Sequence, residues 1–227
     1  MPVRLAAIVV LSTALLAGCG SSGAKSNGVE DKSANEIVQS ASQAAKAADS
    51  VHIAGTINAG GKITLDLSLA RGEGGKGKIQ TNGMTFEIIS TGGKVYFKTN
   101  AAALQQLGGG VAAQLLQGRW IVAPSSLPQF GSLSALTDLR RLFGSITSSL
   151  GTLQKGDTSD VNGQPAIAVT STRKGGTLYV ATTGEPYPLK IQGSSAGTGS
   201  ITFDQWNEPV TLQAPANPVD FSKLTGG

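Results

Sequence analysis

The sequence predicts an α+β fold, with helices laid on one face of an antiparallel sheet. Three observations carry this. Long stretches alternate apolar and polar residues, and other stretches carry apolar stripes at helical spacing. The order is helix, strands, helices, strands, without a repeating β-α-β unit. The 227 residues are enough for one domain with a real core. Only 14% are charged and 5% aromatic, and there are 31 glycines, yet Leu, Ile and Val recur throughout, which excludes a disordered chain. The net charge is +4, but Lys and Arg stand singly, with no basic run interleaved with aromatics. Nucleic acid is therefore not an expected partner, and a mild attraction to anionic lipids accounts for the charge as well.

The first segment, "MPVRLAAIVVLSTALLAGC", has one charge at Arg4, an apolar run from Leu5 to Leu16, then small residues. It reads as a secretory signal, too short to span a bilayer as a helix. Leu16, Ala17, Gly18 and Cys19 resemble, in full, the lipobox of bacterial lipoproteins. That resemblance implies cleavage between Gly18 and Cys19, a diacylglyceryl group on the cysteine sulfur, and acylation of the new amine. Cys19 is the only cysteine, so it makes no intramolecular disulfide, and a metal site would need partners it lacks. More than one acyl chain gives lasting attachment, here to the outer face of the cell membrane. The division expected is a signal peptide over 1–18, a tether over 19–32 and a single folded domain over 33–227. The tether contains "GSSGAKSNGVEDK", which is Gly/Ser-rich and polar.

Order is expected to begin at Ser33, which with Glu36 fits a capping box. Ala34, Ile37, Val38, Ala41, Ala44, Ala45 and Ala48 then repeat at helical spacing. Strands follow: Ile63, Leu65, Leu67 and Leu69 alternate with polar residues, as do Phe86 and Ile88, then Val95 and Phe97. Residues 101–117 read as helical, interrupted by Gly108, Gly109 and Gly110. "GRWIVAPSS" reads as a short strand ending at Pro124. From Ser132 to Leu150, Leu133, Leu136, Leu139, Leu142, Phe143, Ile146 and Leu150 form a helical stripe. After Gly151 the strand pattern returns, punctuated by turns such as Asn162-Gly163.

Two motifs suggest chemistry and are set aside on context. "RGEGGKGKIQ", residues 71–80, contains both G-x-G-x-x-G and G-x-x-x-x-G-K. A phosphate cradle needs a strand before it and a helix after it. Here a second strand-like segment follows, so the glycines read as turn residues and Lys78 as an exposed turn residue. "GSSAG", residues 193–197, fits a nucleophile elbow around Ser195, but the chain's sole histidine, His52, lies far upstream. His52 is expected to point outward from the first strand. One histidine makes neither a metal cluster nor a triad by itself. No catalytic residue, cofactor or metal is expected.

Several segments together resemble the LppX/LprG-type lipoproteins of actinobacteria, which are similar to the LolA/LolB carriers: "LAGC", the helix from Ser33, "GGKVYFKTN", "GRWIVAPSS", "VNGQPAIAVTST", "GTLYVATTGEPYPLKIQ" and "ITFDQWNEPVTLQAPANPVDF". The resemblance implies a curved antiparallel sheet forming a half-open barrel, with helices packed on its concave face and an apolar cavity between. It implies a monomer that takes the acyl chains of an envelope lipid or glycolipid and carries it between envelope layers, with a membrane transporter as a candidate partner. Periodicity nominates the lining: Ile63, Leu65, Leu67, Leu69, Phe86, Ile88, Val95 and Phe97 from strands, against Leu136, Leu139, Phe143 and Ile146 from a helix. The same residues would also serve a closed core, so an anchored scaffold or sensor without a lipid ligand is the alternative.

Overall fold

The computed structural model describes residues 25–58, 60–106, 116–124, 137–148, 151–173, 175–194 and 198–221, with side chains left out at 145–148. Gly18, Cys19, Leu136 and Ser195, and the side chain of Ile146, lie outside the described residues.

The chain enters the fold earlier than the sequence suggests. Ser26 bridges to Thr183, and Asn27 N–H donates to the Thr182 carbonyl at 2.8 Å. The Asn27 amide donates to the carbonyls of Ala181 and Gly184. A 3-10 turn over Val29–Asp31 then buries Val29 against Ile37, Val38 and Ala41. The stretch read as tether through Lys32 is thus part of the folded unit from Ser26. One apolar residue and one well-placed amide hold it there, which a polar composition conceals.

Helix α1 spans Ala34–Ala47 and carries both bonds of its capping box: Glu36 N–H donates to Ser33 Oγ at 3.4 Å, and Ser33 N–H donates to the Glu36 carboxylate at 3.0 Å. Its buried face is Ile37, Val38, Ala41, Ser42 and Ala45, small enough to lie close on a sheet. The strands are β1 Ser50–Asn58, β2 Lys62–Ala70, β3 Gly74–Thr81, β4 Met84–Thr91, β5 Lys94–Thr99, β6 Ile121–Pro124, β7 Leu153–Val161, β8 Gln164–Ser171, β9 Thr177–Ala181, β10 Pro188–Gln192, β11 Gly199–Asp204 and β12 Val219–Asp220. Helix α2 spans Ala101–Gln106 and helix α3 spans Leu139–Ser148.

All the described strands join one open sheet in the order β12-β6-β5-β4-β3-β2-β1-β11-β10-β9-β8-β7. Pairing is antiparallel except for the short β12–β6 contact. Two meanders, β1 to β6 and β7 to β11, meet where β1 pairs β11. Helices α1 and α3 pack together on the concave face, with Ala45, Leu139 and Phe143 over Val51, Ile53, Leu67 and Leu69. The α+β, curved, half-open architecture implied by the sequence is the one observed.

One local expectation is met in part and another is corrected. Within the stretch expected as helix from Ser132 to Leu150, the described helix is Leu139–Ser148, capped by Asp138, whose Oδ1 accepts from Arg141 N–H at 3.1 Å; residues 132–136 lie outside the described residues. The glycine stretch at 71–80 is a turn only at its start; from Gly74 it is strand β3, and Lys78 lies within that strand rather than in a turn. Alternation fails there because the inward positions are glycines. A Cβ on Gly77 would sit 2.0 Å from the Asp66 carbonyl oxygen, and one on Gly75 would sit 2.6 Å from Leu69 Cδ2. The glycines let neighbouring backbones close up where the sheet curls.

Candidate functional site

Strand register resolves the concave face into rows that cross the sheet. The first row is Val95, Ser90, Gly75, Leu69 and Val51. The second is Phe97, Ile88, Gly77, Leu67, Ile53 and Phe203. The third is Phe86, Ile79, Leu65, Gly55, Ile201, Ile191 and Leu178. The fourth is Met84, Thr81, Ile63, Ile57 and Gly199.

Burial changes along these rows while apolarity does not. In the first two rows every large apolar side chain is at most 3% exposed. In the third row Ile79 and Leu178 are buried but Leu65, Phe86, Ile191 and Ile201 are only half-buried, and in the fourth so are Met84, Ile63 and Ile57. The sheet therefore has a deep end, plugged by α1 and α3, and an open end where its apolar face reaches solvent. Gly55 sits between them in β1. A Cβ there would come within 2.2 Å of the Ser200 carbonyl oxygen, so the bare backbone permits tight curling against β11.

The nominated lining divides accordingly. Leu67, Leu69, Ile88, Val95, Leu139 and Phe143 share one packed cluster, with Ile63, Leu65 and Phe86 half-buried against it. Phe97 packs instead with Leu104, Ile121 and Ala123, next to α2. Ile57 and Ile201 belong to the open end, whereas Ile191 packs beneath α1 against the cluster of Ile37, Val38 and Ala41; none of the three is in the nominated lining. Their strands are short or interrupted by Gly55, so alternation is weak, and only the register aligns them with Leu65. Beneath the helices, Val38, Ala41, Ser42, Phe143, Leu178, Pro188 and Ile191 leave a void of about 10 Å³. That barely admits one water molecule.

Wider clefts lie elsewhere. A cleft of about 830 Å³ at the deep end includes Tyr187 and Trp206, whose rings stack at 4.4 Å between centroids. Another, of about 480 Å³, is lined by Arg71, Gly72, Glu73 and Gly74 with Asp138 and Arg140. Arg71 is tied to Asp49, and a strand rather than a helix follows the glycines, so the arrangement is not a phosphate-binding loop.

On the convex face, His52 does point outward from β1, but between two carboxylates. Its Nδ1 is 2.6 Å from Asp204 Oδ1 and its Nε2 is 3.2 Å from Asp66 Oδ1. Burial, the largest effect, pulls its pKa down. The hydrogen bonds to Asp204 and Asp66, together with their charges, outweigh it, so the pKa is raised above the ordinary value. With both ring nitrogens committed, the imidazole is a clasp across β2, β1 and β11. Among the described residues, no group of three or more His, Cys, Asp or Glu is placed to hold a metal.

No protein-family model matches the chain, and no curated protein does. Among solved structures, LprF from Mycobacterium bovis is 17% identical, superimposes with a TM-score of 0.56, and the match covers 80% of this chain and 96% of that one. The chain has the LprF fold. The Mycobacterium tuberculosis lipoprotein LppX is 20% identical with a TM-score of 0.49, over 79% of this chain and 98% of that one. Sequence identity at this level speaks to the LprF fold and not to ligand or partner.

Proposed function

We propose that the chain is an LppX/LprG-type envelope lipoprotein that binds the acyl chains of a lipid or glycolipid and carries it between envelope layers. In this reading Cys19 carries the membrane anchor after cleavage from Gly18, and the domain stands on the outer face of the cell membrane. The single observation that carries the proposal is the concave face. Its apolar rows continue past the helices to a half-exposed open end at Leu65, Phe86, Ile201, Ile63 and Ile57. Exposed contiguous apolar surface marks a binding surface, and an acyl chain needs apolar lining and no catalytic group. The protein is a carrier in this reading, not an enzyme. The LprF fold and the lipobox are consistent with it. Ile63, Leu65 and Phe86 of the nominated lining, joined by Ile57 and Ile201, meet the lipid, while Leu67, Leu69, Ile88, Val95, Leu139 and Phe143 form the floor beneath it.

The test is mass spectrometry of organic extracts from domain purified without its anchor. Co-purified diacyl or triacyl lipid supports the carrier. Lipid-free protein that takes up no lipid from vesicles would favour the second reading, a lipid-anchored scaffold or sensor. That alternative draws on the packing beside Val38, Ala41 and Phe143, where the void is only about 10 Å³. The anchor has its own test: Cys19→Ala should abolish fatty-acid labelling and leave the precursor uncleaved, and normal labelling would remove the lipobox assignment.

A further inference from the structure

The point where the chain enters the fold and the open end of the sheet lie at opposite ends of the strands. Ser26 and Asn27 are fastened to Ala181, Thr182, Thr183 and Gly184, in the corner between β9 and β10. That corner is at the deep end, because β10 runs from Pro188 beside it to Gln192, which pairs Ser200 near the open end. β1 covers the whole height of the sheet, from Ser50 at the deep end to Asn58 at the open end. Nine residues of strand rise about 26–30 Å. The turns beyond each end add to that distance.

The proposed anchor, Cys19, precedes Ser26, the first residue fastened to the sheet, by seven residues. Fully extended, seven residues reach about 23–25 Å. If the open end faced the anchoring bilayer, the corner between β9 and β10 would stand a strand length above the surface, and only a tether pulled almost straight could approach it.

We infer that the anchored protein holds its open apolar end away from the bilayer that anchors it, and that this end exchanges lipid with a second bilayer facing it. The inference rests on the proposed anchor at Cys19 and the proposed lipid site. A carrier lifting lipid from the membrane beneath its own anchor would need this tether stretched almost straight, at a cost in chain entropy.

The experiment uses the full, acylated chain reconstituted in vesicles that carry an energy-transfer acceptor on their headgroups. Acylation consumes the native thiol, so a single introduced cysteine takes the donor dye. Glu185→Cys marks the deep end and Lys62→Cys the open end, with Gln80→Cys as the substitute if Lys62→Cys fails to fold. We expect clearly stronger transfer from residue 185 than from residue 62. Equal transfer, or stronger transfer from 62, overturns the inference. Inserting about a dozen Gly/Ser residues after Ser22 should shrink the difference, and an unchanged difference would overturn the short tether as its cause. The mass of the N-terminal peptide separates the two levels: an unmodified Cys19 sinks the anchor reading itself, whereas an acylated chain with the wrong transfer order sinks only the orientation. Vesicles carrying the protein should also deliver a fluorescent lipid to acceptor vesicles faster with the native tether than without protein. Delivery confined to the carrying membrane would count against exchange with a second bilayer.

Discussion

His52 has both ring nitrogens engaged by carboxylates, and a neutral imidazole can donate from only one of them. Asp204 and Asp66 therefore favour the protonated ring and raise its pKa in the fold, even though burial opposes them. In the unfolded chain the imidazole titrates near about 6.5. A raised folded pKa means the clasp contributes fully below that unfolded value, and the contribution fades as pH rises through the higher folded value. The melting temperature should accordingly drop as pH rises from about 6 to about 8, and His52→Asn should flatten the decline. A variant with the same slope as wild type would show that the decline comes from other groups. Alternation along β1 was enough to aim His52 outward. Its partners were not legible, because Asp204 lies 152 residues away and nothing local says that β1 pairs β11.

The elements differ in how openly the sequence declares them. α1 is written in full by Ser33, Glu36 and its small apolar stripe, and β2 by the strict alternation of Ile63, Leu65, Leu67 and Leu69. β3 is hidden, because Gly75 and Gly77 occupy inward positions where side chains would normally signal a strand. β7 is hidden for a different reason: it is an edge strand with most of both faces in water, so "LQKGDTSDV" has nothing to alternate. The open end is hidden similarly, since Ile57 and Ile201 join Leu65 and Ile63 only through the register. If the glycines of β3 are there to let backbones close up, Gly77→Ala should destabilise the domain by about 1–3 kcal/mol in chemical denaturation. Lys78→Ala, exposed on the other face of the same strand, should stay within about 0.5 kcal/mol. Similar losses for the two would mean that β3 tolerates a side chain at its inward positions.

For the whole molecule, the concave face divides into a floor and a mouth, and substitutions should separate the two. Leu67 is 2% exposed in the packed cluster, so Leu67→Ala should cost about 2–5 kcal/mol. Phe86 is half-buried at the open end and has already forfeited part of its contacts. Phe86→Ala should cost less than the ~3–5 kcal/mol typical of a buried Phe, while lowering bound lipid per protein. Denaturation curves read alongside extracted lipid would check both, and a Phe86→Ala protein with undiminished lipid would move the mouth elsewhere. The pairing at the middle of the sheet has a further consequence, in time rather than space. β1 meets β2 across a short turn, but it meets β11 only after nearly the whole chain has been made. Closing so long a loop is slow. A chain threaded through a membrane from its N-terminus would keep its two meanders apart until the last strands arrived on the far side. In the exported lipoprotein proposed above, the same late connection would hold the precursor in a state loose enough to cross the membrane.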